Sequence, residues 1–198
     1  MTNLILASSS HARATMLRNA GVEIEIQPAE VDENTIKQDL LATGTPPDQI
    51  AAALGRAKAL AVSNTLPDAF VIGADQVLVH DDNLFDKPRS LDEAKIHLKT
   101  LRGDTHRLVS AVSVAREGSE VWSVIRQADL TMREFTDVFL DSYLTNFGEK
   151  ALTSVGAYHL EGLGAQLFSR VDGDYFTILG LPLLELLEFL RMRGLLTT

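Results

Sequence analysis

Hydrophobic and polar positions along this chain follow two different periods. Short apolar runs rich in Val, Ile and Leu are typical of buried strands, whereas apolar residues three and four positions apart are typical of amphipathic helices. Strands are predicted at residues 3–7, 22–27, 69–72, 77–79, 108–115 and 121–132. Helices are predicted at about residues 11–20, 46–62, 91–101, 137–146 and 182–193. Ser90 and Thr136 are the expected N-caps of the third and fourth helices, and Leu183, Leu186, Leu187 and Leu190 form the expected core stripe of the last. The chain therefore combines strands and helices over most of its length.

The stretch of residues 71–79 is the basis for predicting where the functional site lies. Two apolar runs flank Gly73-Ala74-Asp75-Gln76, which we interpret as a break in a buried strand. Gly73 would let another backbone or a ligand approach closely. Asp75 needs a cation, a metal or a hydrogen-bond donor beside it, because a desolvated carboxylate is unfavourable on its own. We therefore take Asp75 as the centre of the chemistry.

The N-terminal segment has the layout strand, serine-rich loop, helix. Ser10 is a suitable N-cap and Gly21 a suitable residue just past the helix end. This layout presents free backbone N–H groups to an anion, although a plain N-capped helix is the alternative. Arg13 lies in the first turn, where a cation opposes the helix dipole. We expect it to have an anionic partner, either a protein carboxylate or a bound phosphate.

Other polar residues are predicted to lie in turns or at the surface, and the pattern leaves the position of Lys58 open. The acids at 30–33 predict a solvated turn, and residues 38–45 are expected to be exposed. Lys58 lies beside the apolar stripe of its helix, which fits either a surface lysine or one that reaches into a cleft. Residues 171–175 predict a hairpin turn.

Composition limits the class of protein. The 198 residues include no cysteine, which excludes disulfides and thiolate metal sites. A net charge of −9 disfavours binding to duplex DNA or to anionic membranes, since both need basic faces. The sequence shows no signal peptide and no apolar run of about 18 residues. We expect a cytoplasmic protein whose residues 1–198 form one domain.

Several charged residues lie at the ends of predicted elements or beside an apolar stripe. In an acidic chain, local cations with a few convergent carboxylates suggest a polyphosphate and a hard divalent ion, because Mg²⁺ binds through one or two carboxylates and substrate phosphates. None of the five histidines forms an H-x-x-x-H pair, and no Walker loop occurs. The candidates are Arg13, Lys58, Lys87, Arg102, Glu33 and Asp75.

Eight motifs in collinear order make the chain resemble the Maf family. They are residues 6–13 (LASSSHAR), 31–33 (VDE), Lys58, 73–76 (GADQ), 87–88 (KP), 101–103 (LRG), 156–158 (GAY) with 161–164 (EGLG), and 180–183 (GLPL). The resemblance implies a cytoplasmic nucleoside triphosphate pyrophosphatase that releases pyrophosphate with a divalent cation, Mg²⁺ or Mn²⁺. It implies a mixed α/β fold shared with inosine triphosphate pyrophosphatases: a twisted sheet flanked by helices, a cleft between two lobes, and a homodimer.

The resemblance also implies roles for individual residues. Asp75 corresponds to the catalytic acid that accepts a proton from water, and Lys58 and Lys87 would stabilise charge on the phosphates. Glu33 and Asp75 would hold the metal, whose effect on bound water makes an aspartate plausible as a base. The implied phosphate-binding residues are Ser8, Ser10 and Arg13.

Base selection is implied at three positions, which are here Ala12, Gln76 and Glu161. The subgroup that prefers thymidine and uridine triphosphates has Arg, Thr and Gln there. Gln76 and Glu161 resemble the subgroup associated with 7-methyl-GTP, and a carboxylate suits a cationic methylated guanine. Ala12 departs from the large residue of both subgroups.

Two alternatives stand beside an enzyme that removes modified or noncanonical nucleotides. The family is linked with inhibition of septum formation, so the chain could be a nucleotide-binding regulator of cell division. The other alternative is an acidic α/β domain whose charges are simply solvated.

Overall fold

The structure, a computed structural model, describes residues 3–197. Its strands are β1 (Leu4–Leu6), β2 (Glu25–Ile26), β3 (Phe70–His80), β4 (Asn83–Phe85), β5 (Thr105–Arg116), β6 (Ser119–Met132) and β7 (Phe168–Asp172). Its α-helices are α1 (His11–Asn19), α2 (Glu33–Ala42), α3 (Pro47–Ser63), α4 (Leu91–Leu101), α5 (Asp137–Phe147), α6 (Tyr175–Ile178) and α7 (Leu183–Met192). Two 3₁₀ helices cover Gly148–Thr153 and Leu163–Leu167.

The strands form one mixed sheet, which confirms the predicted α/β class. Its order is β2-β1-β3-β5-β6-β7, and β4 pairs with β3 off this path. Strand β1 is parallel to both β2 and β3, whereas β4 and β7 are antiparallel to their partners. Strand β1 is buried at all three positions, as expected of a strand with neighbours on both sides.

The chain divides into two compact units, each with its own buried residues. Unit 1 comprises residues 1–76, 109–126 and 174–198, and unit 2 comprises residues 77–108 and 127–173. The core of unit 1 packs α1 and α7 against strand residues such as Leu6, Ile72 and Val112. Unit 2 buries Leu98, Leu130 and other large side chains. The predicted single domain and the predicted cleft between lobes stay predictions.

Local signals for helix ends are confirmed. Ser10, Ser90 and Thr136 each accept a hydrogen bond from the backbone N–H three residues on, as N-caps do. Helix α7 buries the predicted stripe of leucines, including Leu183, Leu186 and Leu190. Within residues 3–197, no helix is long and apolar enough to cross a membrane.

The predicted break in the central strand is wrong. Strand β3 runs without interruption from Phe70 to His80, so Asp75 lies inside a strand rather than at its end. The prediction of close approach at Gly73 is confirmed: a Cβ built there would lie 2.5 Å from Ala59 N and closer still to the Gly55 carbonyl oxygen. Gly73 therefore lets helix α3 pack closely against a continuous strand.

Two other segments also differ from the prediction. Residues 33–42 form helix α2, capped by Asp32, where no helix was predicted. The exposure expected of residues 30–33 and 38–45 is confirmed, since none of them is buried. Helix α2 has no fully buried residue, so it lacks the apolar stripe by which helices are recognised. The expected hairpin turn at 171–175 instead joins β7 to α6, because Asp174 caps that helix by accepting from Thr177 N.

The glycine contact between β3 and α3 yields a stability prediction. We expect Gly73→Ala to lower the free energy of unfolding by about 3 kcal/mol, because the added methyl group overlaps backbone atoms of α3 that cannot rotate away. Urea unfolding followed by circular dichroism measures this loss.

Gly55→Ala is the matched control on the other side of the same contact. Its Cβ would lie 3.4 Å from the nearest atom, Ala111 O, which is ordinary van der Waals contact. We expect it to stay within about 1 kcal/mol of wild type, since alanine also favours the helix. Equal losses from both substitutions would contradict the role assigned to Gly73.

Candidate functional site

A buried lysine lies between two carboxylates in unit 1. Lys58 Nζ lies 2.7 Å from Glu33 Oε2 and 2.8 Å from Asp75 Oδ1. Lys58 and Asp75 are each only 8% exposed, whereas about half of the Glu33 side chain is exposed. Lys58 is therefore not a surface lysine, and Asp75 has the cationic partner that its burial requires.

Three elements bring these charges together. Glu33 opens helix α2, Lys58 is on the buried face of α3, and Asp75 is on β3. The close approach at Gly73 brings α3 against β3 one turn from Lys58 and two residues from Asp75. This close contact of α3 with β3 therefore lies beside the ion pair between Lys58 and Asp75.

Arg13 lies buried near this cluster. Its Nε donates to Gly180 O at 2.8 Å, and its Nη1 donates to Ala74 O at 2.9 Å and to Ser8 Oγ at 3.2 Å. We expected an anionic partner, but these direct partners are two carbonyls and a hydroxyl. The bonds use Nε and Nη1, which leaves Nη2 outside them.

The serine-rich loop supports the start of helix α1. Ser10 Oγ accepts from Arg13 N at 3.4 Å, so Ser10 is the predicted N-cap. Ser8 is buried, and its hydroxyl accepts from Ser10 N at 3.2 Å as well as from Arg13. The loop thus holds Arg13 at the N-terminus of a helix, where backbone N–H groups favour anions.

Burial perturbs the charged groups of the site. It raises the pKa of the Asp75 carboxyl above its ordinary value, although the Lys58 ammonium and the Arg13 guanidinium act in the opposite direction. The nearby Glu33 carboxylate raises the pKa of Asp75 further. A carboxylate with a raised pKa is a better proton acceptor near neutral pH than an ordinary aspartate.

Glu33 and Asp75 are the carboxylates of this cluster that could hold a cation. The described residues contain no group of three or more acidic or histidine side chains arranged around a metal position. Two carboxylates nevertheless suit Mg²⁺, which takes its other ligands from substrate phosphates and water. The donor set therefore fits a divalent ion that binds together with a phosphorylated ligand.

The remaining predicted site residues are distributed over both units. Ala12 is on α1 and half-buried, and Gln76 follows Asp75 on β3. Lys87 and Glu161 are exposed residues of unit 2. Arg102, also in unit 2, donates to Asp137 and to the Phe135 carbonyl at 2.8 and 3.0 Å.

Sequence reasoning missed the residues that hold Arg13 and Gln76 in place. Gly180 and Ala74 act through backbone carbonyls, which no side-chain pattern can show. Ser110 and Thr177 are buried polar residues of β5 and α6 that bind Gln76. Residues 180–183 were recognised as a family motif before the last helix, but the contact of Gly180 with Arg13 was not predicted.

A mixed α/β fold in which a buried ammonium, guanidinium and carboxylate lie beside a half-exposed carboxylate is typical of an enzyme site for an anionic ligand. The family described as Maf-like protein matches residues 3–193. The chain belongs to the Maf family, as its motifs predicted.

Relatives align with nearly the whole chain. A protein of Caulobacter vibrioides named nucleoside triphosphate pyrophosphatase is 51% identical over 197 residues, which cover 100% of this chain and 98% of the relative. A protein of Rhizobium etli named 7-methyl-GTP pyrophosphatase is 48% identical over 191 residues, or 96% of each chain. A nucleoside triphosphate pyrophosphatase of Paramagnetospirillum magneticum is 51% identical over 190 residues, covering 96% of this chain and 98% of the relative.

The charge cluster yields a prediction about the pKa of Asp75 in metal-free protein. Lys58→Met should raise this pKa further, because it removes the ammonium that stabilises the carboxylate. Glu33→Gln should lower it, because it removes a nearby negative charge and leaves Lys58 to Asp75 alone. A ¹³C NMR titration of the Asp75 carboxyl carbon measures both shifts.

Glu30→Gln serves as the matched control, since Glu30 is an exposed acid three residues before Glu33. It should leave the titration of Asp75 unchanged. Shifts of the same sign in Lys58→Met and Glu33→Gln would show that charge interactions do not set this pKa.

Proposed function

We propose that this chain hydrolyses nucleoside triphosphates to the monophosphate and pyrophosphate, and so removes modified or noncanonical nucleotides. The observation that carries this proposal is the buried Asp75 carboxylate, 2.8 Å from Lys58 Nζ, in the unit that also buries Arg13. Buried charges of both signs in one place suit a polyphosphate and an attacking water. The names of the relatives agree with a hydrolase acting on phosphoric anhydrides.

Each residue of the cluster has a role in this reaction. Asp75 accepts a proton as a water oxygen bonds to the α-phosphorus, and the bond from that phosphorus to the bridging oxygen of pyrophosphate breaks. Lys58 and Arg13 stabilise the negative charge that develops on the phosphate oxygens. Ser8 and Ser10 hold Arg13 and the start of α1 in position. Lys87 is proposed as a further cation for the phosphates.

Glu33 and Asp75 are proposed to hold a divalent cation, Mg²⁺ or Mn²⁺. Such an ion polarises a phosphoryl oxygen and lowers the pKa of bound water when it is present. Lys58 lies between the same two carboxylates, so it offsets part of their negative charge in the protein alone. The phosphates of a nucleotide offer the ammonium an alternative partner.

We further propose 7-methyl-GTP as a substrate. Glu161 supports this, because a carboxylate favours a cationic methylated guanine and accepts hydrogen bonds from the N1–H and N2–H₂ edge. Several relatives bear the name 7-methyl-GTP pyrophosphatase. A cytoplasmic location and a homodimer remain predictions. The regulator without catalysis is not favoured, since every proposed catalytic residue is present.

The reaction class is tested with a nucleotide panel. 7-Methyl-GTP, GTP, ITP, UTP and dTTP are supplied with Mg²⁺ or Mn²⁺, and pyrophosphate and orthophosphate are measured separately. We expect pyrophosphate from wild type, and a loss of about 100-fold or more in kcat for Asp75→Asn, which removes the proton acceptor.

Asp129→Asn is the control for this panel. Asp129 is a half-buried aspartate of unit 2 that pairs with Arg107 outside the charge cluster, so its loss should leave kcat unchanged. Orthophosphate as the product would place the attack on a different phosphorus. Nucleotide binding without hydrolysis would favour the regulator instead.

Base preference has its own test. Glu161→Gln should lower kcat/KM for 7-methyl-GTP about tenfold relative to UTP, because the charge complementary to the methylated base is lost. Glu149→Gln, another exposed acid of unit 2, is the matched control and should keep the wild-type ratio. An unchanged ratio in Glu161→Gln would remove this residue from base selection.

A further inference from the structure

The side-chain amide of Gln76 uses its donors inside the protein. Nε2 donates to Ser110 Oγ at 2.9 Å, to Ile178 O at 3.0 Å and to Thr177 O at 3.1 Å. An amide nitrogen has two hydrogens, and three acceptors lie around it. Both hydrogens are therefore engaged, which leaves no free donor for reading a base.

These bonds join three segments of unit 1 that are far apart in sequence. Gln76 is on β3, Ser110 on β5 and Thr177 on α6. Ser110 is completely buried and donates to the same Thr177 carbonyl at 2.8 Å. A buried network with this many satisfied groups fixes the position of α6 against the sheet.

Arg13 joins β3 to the turn that follows α6, close to the positions that Gln76 contacts. Its Nη1 donates to Ala74 O, two residues before Gln76 on β3, and its Nε donates to Gly180 O, two residues after Ile178. The Gly180 N–H itself donates to Thr177 O at 3.0 Å. The carbonyl that orients Arg13 is thus held by the turn that Gln76 anchors.

Gly180 lies between the two side chains. A Cβ built there would be 3.4 Å from Arg13 Nη2 and 3.6 Å from Gln76 Oε1. Its φ of +94° is a conformation that L side chains rarely adopt, so glycine allows the turn. A small shift of the turn would therefore reach both the guanidinium and the amide.

We propose that Gln76 is a positioning residue: it anchors the turn at 177–180, whose Gly180 carbonyl orients the Arg13 guanidinium towards the phosphates. This role differs from the base selection that the family resemblance implies for Gln76. The proposal rests on the proposed function only in taking Arg13 as a phosphate ligand.

The positioning itself is measured on the protein without substrate. The Arg13 Nε–H resonance is identified by its absence in Arg13→Lys, and its exchange with water is followed by ¹H–¹⁵N NMR. Gln76→Met, which keeps the length of the side chain but removes its donors, should speed this exchange about tenfold as the bond to Gly180 loosens. Ser110→Ala should act in the same direction.

Ser113→Ala is the matched control. Ser113 is another buried serine of β5, but its hydroxyl donates to Glu120 at 2.8 Å and not to the turn. It should leave the Arg13 exchange rate at the wild-type value. Unchanged exchange in both Gln76→Met and Ser110→Ala would overturn the proposal even if either variant were less stable.

Binding and turnover then separate positioning from base selection. Pyrophosphate carries no base, and its dissociation constant by calorimetry should rise about tenfold in Gln76→Met. KM should rise by the same factor for 7-methyl-GTP, GTP and UTP, so the kcat/KM ratios among them stay within about twofold. A changed ratio with unchanged pyrophosphate binding would show that Gln76 reads the base.

The outcomes remain distinguishable if the proposed function fails. A wild type that hydrolyses no nucleotide would disprove the pyrophosphatase activity. The NMR comparison of Gln76→Met with Ser113→Ala would still decide whether Gln76 orients Arg13.

Discussion

The buried ammonium of Lys58 is the interaction on which the site of unit 1 depends. It joins helices α2 and α3 to the central strand by contacting Glu33 and Asp75 at 2.7 and 2.8 Å. Removing one partner of a buried ion pair typically costs about 3–5 kcal/mol, because the other charge is left uncompensated. The three charges must therefore be kept together, and the geometry of the site is set by the protein before a ligand arrives.

That ion pair lies beside an unusually close approach of two backbones, those of β3 and α3. Gly73 has no side chain, and α3 fills the space that a Cβ would occupy. The contact lies close to both Lys58 and Asp75, so packing and electrostatics are linked at one point of the fold. Asp75 lies within a regular strand, and α3 supplies its cationic partner, Lys58.

The sequence predicted features that depend on neighbours in the chain. The N-caps at Ser10 and Ser90 and the leucine stripe of α7 depend on spacings of three and four residues, and these were confirmed. Helix α2 was missed because its stabilisation comes from the Asp32 cap and not from a buried stripe. The motifs predicted the Maf family, which the comparison with known proteins confirmed.

Features that depend on distant contacts could not be predicted in the same way. Helical periodicity placed Lys58 beside the apolar stripe, but the choice between surface and interior depended on Asp75, 17 residues away. The partners of Arg13 were unpredictable for another reason. Ala74 and Gly180 contribute only their backbone carbonyls. Every residue type has this group, so the identity of the side chain gives no sign of the contact.

The contacts of Arg13 explain why arginine, rather than lysine, suits this position. A guanidinium has donors in a fixed planar fork, so Nε and Nη1 can bind two carbonyls while Nη2 keeps a defined direction. A lysine ammonium carries its three donors on one nitrogen, so it has no separate arm to direct at a phosphate while it binds two carbonyls. Burial lowers the pKa of Arg13, whereas the negative charges of Asp75 and Glu33 raise it. The two carboxylates therefore offset part of the cost of burying the guanidinium. The bonds of Arg13 to the two carbonyls therefore support its proposed bond to phosphate, because they fix the direction in which Nη2 points.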